Sequence, residues 1–310
     1  MQADTRSPAK ARALAPVSPG EADALAAPDV ASLSMWMQGF GGSGSIEGDR
    51  VTRGLRHDVS GLAGGIEARY GAFKAGVAGG YSDGSYDVRS LQASMQGEVV
   101  HVGGYLGYEG EAAFAGLFGS YVEGDFDSTR RVSAANVRTL TAQAEVDMKG
   151  RTLGGFAGYR APLGNNIVLA PMVGATNIRI KRDGFDETGA DPLNLQVSQE
   201  TREVTYGTAQ LRLSSATPVS GGTFEPYLAG GVERYWGDLR AVSTMRFAGA
   251  AGDMGSFRII GAPLEKTVGA FGAGFDVRPN DRIEIGASAG VRVGDRVTQS
   301  TVEMHARIRF

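Results

Sequence analysis

From Leu33 to Phe310 apolar residues recur at every second position, in runs parted by clusters of glycine, proline, asparagine and aspartate. That is the period of β-strands with one face out of water. The last run is the clearest: Val302, Met304, Ala306, Ile308 and Phe310 share one face, and Thr301, Glu303, His305, Arg307 and Arg309 the other. In the run before it, Ile283, Ile285, Ala287, Ala289, Val291 and Val293 oppose Arg282, Glu284, Gly286, Ser288, Gly290 and Arg292. Upstream, Phe73, Ala75, Val77, Gly79 and Tyr81 oppose Lys74, Gly76, Ala78, Gly80 and Ser82, and Leu153, Ala157 and Tyr159 oppose Thr152, Phe156 and Arg160.

Such runs lie at about 33–43, 57–71, 73–85, 96–109, 111–127, 144–161, 165–182, 196–216, 223–240, 259–278, 281–294 and 298–310, twelve in all. Their connections alternate. Gly71-Ala72, Glu109-Gly110-Glu111, Leu163-Gly164-Asn165, Val219-Ser220-Gly221 and Asn280-Asp281 are tight, whereas 44–56, 86–95, 128–143, 183–195 and 241–258 are long and polar. Short turns on one rim and long loops on the other describe an outer-membrane barrel; a soluble sandwich has no reason to sort them. The expected fold is therefore all-β, a 12-stranded antiparallel transmembrane β-barrel spanning 33–310, with its apolar face on lipid and its polar face on a wet lumen. Tyr70, Phe73, Tyr81, Tyr108, Tyr159 and Trp236 fall near run ends, where amphipathic rings sit at lipid headgroups.

Residues 1–32 hold alanine, proline and charge with almost no aromatic or β-branched side chains, and cannot build a core. They read as a linker containing one short helix: Ser18-Pro19-Gly20-Glu21 forms a capping box with proline at the first helical position, and Pro28 stops the alanine-rich run that follows. Twelve strands with small inward residues leave room for a helix of roughly 10 Å diameter, and this one is the expected occupant of the lumen. The N-terminus lacks the apolar stretch of a secretory signal, so that signal is expected upstream.

Composition narrows the picture further. With 47 glycines among 310 residues and no run of ~20 apolar positions, a membrane-spanning helix is not expected. Glycine pairs such as Gly64-Gly65, Gly79-Gly80, Gly103-Gly104, Gly154-Gly155 and Gly230-Gly231 sit inside runs, where they should leave lumen space and permit curvature. A net charge of -3 offers no field of one sign for nucleic acid, and the absence of cysteine rules out disulfides and thiolate metal sites.

Several motifs read as barrel wall. Gly80-Tyr81-Ser82-Asp83-Gly84 matches a G-x-S-x-G nucleophile, yet its serine runs from strand into more strand, without the elbow that chemistry needs. Gly39-Phe40-Gly41-Gly42-Ser43-Gly44 fits a dinucleotide loop with no helix after it. His57, His101 and His305 occupy three separate strands, and Asp125, Asp127, Asp183, Asp186, Glu187 and Asp191 flank outer loops, where carboxylates solvate or pair with surface cations. No cofactor, metal or catalytic residue is expected. The charged set Glu67, Arg69, Lys74, Glu284, Arg292, Glu303, His305, Arg307 and Arg309 should face the lumen, contact the helix and seal the pore.

Across about 33–310 the chain resembles the autotransporter β-domain family. The matching stretches are Met35-Trp36-Met37-Gln38-Gly39-Phe40-Gly41-Gly42, Leu169-Ala170-Pro171-Met172-Val173-Gly174-Ala175, Gly184-Phe185-Asp186-Glu187-Thr188-Gly189 and Phe224-Glu225-Pro226-Tyr227-Leu228-Ala229, with Phe310 at the end. The resemblance implies a monomeric barrel in the outer membrane of a Gram-negative bacterium, among outer-membrane lipid and lipopolysaccharide. It implies assembly by the barrel-assembly machinery reading Val302, Met304, Ala306, Ile308 and Phe310, and export and surface anchoring of an N-terminal passenger. Family members that cleave themselves use an asparagine in the lumenal helix; residues 1–32 contain none, so no such cleavage is expected. A stand-alone diffusion channel and an outer-membrane hydrolase are the rival expectations.

Overall fold

The computed structural model describes residues 31–50, 52–88, 91–133, 139–164, 166–250 and 255–310; the helix expected within 18–27 lies outside the described residues. Along the chain run β1 (Ser32–Ile46), β2 (Leu55–Tyr70), β3 (Phe73–Val88), β4 (Ala93–Glu109), β5 (Ala113–Val132), β6 (Leu140–Tyr159), β7 (Ala161–Gly164), β8 (Ile167–Arg182) and β9 (Phe185–Asp186). They are followed by β10 (Leu195–Val197), β11 (Glu200–Ser215), β12 (Thr217–Val219), β13 (Gly222–Gly237), β14 (Val242–Phe247), β15 (Ser256–Ile260), β16 (Thr267–Asn280), β17 (Ile283–Val293) and β18 (Val297–Arg309).

β1, β2, β3, β4, β5, β6, β8, β11, β13, β16, β17 and β18 form a closed antiparallel barrel of twelve strands, with β7 and β12 short continuations at two hairpins. Pairing of β18 with β1, from Ile46 opposite Val297 to Ser34 opposite Arg309, closes the ring and leaves no edge. Closure puts Ser32 and Phe310 at the same short-turn rim, where the Phe310 backbone N–H donates to Leu33 at 2.8 Å.

Apolar positions point outward: Leu62, Phe73, Val77, Leu106, Leu117, Leu153, Val173, Leu228, Phe271, Val302 and Met304 are all exposed. In a soluble protein so continuous an apolar surface would be untenable; on a barrel it is the lipid face. Phe73 and Tyr81, outward on β3, are about 26 Å apart along the strand at ~3.3 Å per residue, close to the band of about 25 Å that such barrels present.

The outer rim carries strand within several of its long connections. β3, β4, β5 and β6 continue past the lipid band, so that 86–95 and 128–143 are mostly strand. They persist because Leu55, Tyr86, Val88, Met95, Phe126 and Val146, which face inward there, are buried in an apolar cluster. Segments expected as loops, 183–195 and 241–258, instead supply a second sheet in the order β15-β14-β10-β9. Two expected runs, 196–216 and 259–278, are each divided between this small sheet and the barrel. The sixth outer connection, between β17 and β18, is a short turn, so long loops do not occupy that whole rim.

Candidate functional site: the lumen and its outer mouth

The lumen wall divides into a charged sector and an apolar one. Glu67, Arg69, Lys74, Glu284, Arg292, Glu303, His305, Arg307 and Arg309 all alternate with lipid-facing residues and turn inward. Their charges are answered within the wall. Glu67 accepts a hydrogen bond from the Tyr105 hydroxyl at 2.8 Å and lies 3.5 Å from Arg307, while the Trp36 indole N–H donates to Tyr105 at 3.0 Å. Arg69 and Lys74 converge on Glu109, with Lys74 Nζ at 2.5 Å.

From β11 to β18 the network continues. Arg278 meets Glu225 at 2.5 Å, Arg212 lies 3.6 Å from Asp276, His305 Nε2 lies 3.1 Å from Asp276, and Arg309 lies 3.5 Å from Glu284. Arg292 donates to Glu233 at 2.9 Å and Gln38 to Glu303 at 3.1 Å. Several pairs skip a strand: Glu67 reaches Arg307 across β1, Arg69 reaches Glu109 across β3, and Glu233 reaches Arg292 across β16. Such chords tie the ring more firmly than neighbour pairs do. They are also obligatory, because Glu225, Asp276 and Glu284 are 1%, 3% and 2% exposed and an unpaired carboxylate there would cost several kcal/mol.

Along β5, β6 and β8 the lumen is apolar instead, and Phe114, Phe118, Phe156, Met172 and Ile178 border a cavity of about 310 Å³. Here the glycines do more than leave space. A Cβ on Gly154 would lie 2.4 Å from the Phe118 ring, on Gly158 2.2 Å from Phe114, and on Gly65 2.9 Å from Trp36. Each glycine is a niche in which an aromatic ring from the neighbouring strand lies against the backbone, the pairing that rescues glycine in a sheet.

The small sheet caps the outer mouth. Phe185, Leu195, Val197 and Met245 pack on the inward side of the extended strands beside Leu55, Tyr86, Val88 and Met95. Arg130 on β5 holds the cap by a two-pronged pair to Glu187, with Nε donating to Oε1 at 2.9 Å, and donates to the Leu193 carbonyl at 3.0 Å. Arg182 Nη2 donates to the Ser198 carbonyl at 2.7 Å, and Arg240 ties Asp49 of the first outer loop at 2.8 Å.

The structure adds a base to the serine motif: Ser82 Oγ is 2.8 Å from His101 Nε2, both buried. No carboxylate orients His101 among the described residues, and Ser82 sits mid-strand. His57 stacks on Tyr86, and His305 belongs to the charge network. Of the outer carboxylates, Glu187 is held by Arg130 and Asp183 by Lys181. Among the described residues no group of three or more His, Asp or Glu is arranged to hold a metal.

Trp36, Tyr105, Glu109, Glu225, Asp276 and Arg278 were not singled out by sequence. A signal existed for Glu225, which alternates with Tyr227, Ala229, Gly231, Glu233 and Tyr235 on the inner face of β13. Glu109 was hidden by its place in a tight turn.

A closed barrel with an apolar exterior, a paired-charge lumen and both ends of its ring at the short-turn rim is an outer-membrane barrel by architecture. The model of the family "Autotransporter beta-domain" matches residues 35–290, and the chain belongs to that family. Membership places it in the outer membrane of a Gram-negative bacterium. Similar solved structures include the translocator domain of the autotransporter NalP from Neisseria meningitidis, at 19% identity and TM-score 0.71, covering 90% of this chain and 88% of that one. The beta domain of the Bordetella autotransporter BrkA matches at 19% identity and TM-score 0.65, over 89% and 98%. The transport unit of AIDA-I from Escherichia coli matches at 13% and 0.60, over 89% and 90%. At these identities the likeness concerns the fold. Comparison with curated protein sequences finds no match.

Proposed function

We propose that residues 33–310 translocate and anchor a passenger joined through the linker of residues 1–32. The observation that carries this reading is the placement of Ser32 at the short-turn rim beside Phe310. A chain arriving at β1 comes from the inner side, so anything it carries to the surface must traverse the barrel's thickness. The lumen suits a helix with two unlike faces, apolar toward Phe114, Phe118 and Phe156 and polar toward Glu233, Arg292 and Glu303. Family membership supports the same role. The barrel performs no chemistry of its own, works as a monomer, and is assembled by machinery that reads the outward row Val302, Met304, Ala306, Ile308 and Phe310.

The test places an epitope ahead of Met1, behind a secretory signal, in a Gram-negative host. A tag open to protease on intact cells, with a heat-modifiable outer-membrane band, is the expected result. A folded barrel with its tag retained inside would overturn export and favour a diffusion channel.

A further inference from the structure

Above the lipid band the outer face is charged, and the charges on β6 and β8 are sorted by height. Climbing β6 from the exposed Leu153, the outward positions are Arg151, Lys149 and Asp147; climbing β8, they are Asn177, Arg179 and Lys181, with Asp183 beyond. The register sets Arg151 directly opposite Arg179, and Lys149 directly opposite Lys181. Like charges in directly opposite positions destabilise a ladder, so two such pairs in succession call for a counter-charge.

The upper pair has one. Lys149 meets Glu123 at 2.8 Å and Lys181 meets Asp183 at 2.6 Å. Donating to Glu123 raises the Lys149 ammonium above its ordinary range, and accepting from Lys181 holds the Asp183 carboxyl below its own. The lower pair makes no ion pair: no carboxylate bonds Arg151 or Arg179 among the described residues. Glu203, opposite Arg179 on β11, is instead engaged by the Asn177 amide at 3.0 Å.

Height identifies what lies in front of the two guanidiniums. Arg151 is opposite Tyr121, an outward ring 45% exposed. Rings of this kind mark the headgroup layer. Directly opposed residues have Cβ atoms only about 4.5–5.5 Å apart, close enough for two guanidiniums to share one tetrahedral oxyanion.

We propose that Arg151 and Arg179 form a binding site for the phosphate of an outer-leaflet lipid headgroup, with Lys149 and Lys181 closing its upper side. The site requires only that the long-loop rim face outward, and does not depend on passenger export. A bound phosphate removes the repulsion across the β6–β8 ladder and fixes the height of the barrel in the membrane.

Native mass spectrometry of the full refolded chain tests this, with phosphorylated lipid A, its dephosphorylated form and inorganic phosphate as separate probes. Phosphorylated lipid A should be retained, and the double variant R151Q/R179Q should weaken retention about tenfold or more, since each arginine lost removes a charge-assisted hydrogen bond to the phosphate. R234Q, an exposed outward arginine of β13 that donates to Thr267, should leave it unchanged. Equal retention by the double variant, or of dephosphorylated lipid A, would overturn the proposal. Retention of inorganic phosphate alone would make the site an ion site and overturn its lipid source. If the double variant shows no heat-modifiable band, the single variants R151Q and R179Q decide, each expected to weaken retention and each refuting the site if it does not.

Discussion

Replacing Arg130 with alanine should release the cap from the outer mouth and leave the barrel standing. Arg130 and Glu187 have side chains 9% and 7% exposed, so solvent screens their pairing little. The substitution removes both prongs of the pair and the hydrogen bond to the Leu193 carbonyl, leaving Glu187 buried with the Leu195 backbone N–H, at 2.9 Å, as a donor. Breaking a buried pair from one side costs ~3–5 kcal/mol. Apolar contacts of Leu195, Val197 and Met245, worth ~1.5–3 kcal/mol each, remain and keep the cap mostly seated. The cap should therefore open roughly 10²–10⁴ times more often than in the parent. Hydrogen exchange of the refolded protein reads this directly: amides of 195–199 and 243–247 should lose protection by about that factor, while barrel amides and the heat-modifiable band stay as they are. The double variant R130M/E187L, which buries no charge, should recover most of the protection. Cap amides as protected in R130A as in the parent would refute the reasoning, and so would equal loss throughout the barrel, since the cap would then not be a separate unit.

The lumen and its wall yield further expectations. Gly154→Val forces the Phe118 ring from its niche and should lower the heat-modification midpoint by the equivalent of ~1–3 kcal/mol, whereas Gly79→Ala, whose new Cβ has no neighbour nearer than 3.7 Å, should shift it little. Neutralising Arg307 and Arg309 together removes one cationic partner each from Glu67 and Glu284 and should raise single-channel conductance in planar bilayers; unchanged conductance would count against a sealing role. A fluorophosphonate probe should leave Ser82 unlabelled in the folded barrel, because His101 has no orienting acid among the described residues and both groups are buried; labelling lost in S82A would revive the hydrolase reading.

How far the candidate site was legible follows from where its residues stand. Glu284, Glu303, Arg307 and Arg309 lie in runs of unbroken alternation, so their inward direction could be read from the chain. Their partners could not. Glu67 and Arg307 are joined only because the ring closes at β1 and β18, and Arg69 meets Glu109 only through the register of β2, β3 and β4. The cap escaped notice because β9, β10 and β15 are too brief to establish a period, and because their apolar residues sit among glycine, proline and charge.

By itself the sequence determined the class of fold, the number of membrane strands and which side of each strand meets lipid. Those properties follow from a two-residue period repeated over each span, and a one-residue slip would turn every apolar side chain into the lumen. Only the tertiary structure decided that the lumen charges neutralise one another, that glycines are seats for aromatic rings, that two outer segments fold into a cap, and that Arg151 stands opposite Arg179. Each of these depends on strand register or ring closure. Both are set by packing among segments far apart in the chain, and local alternation carries no record of them.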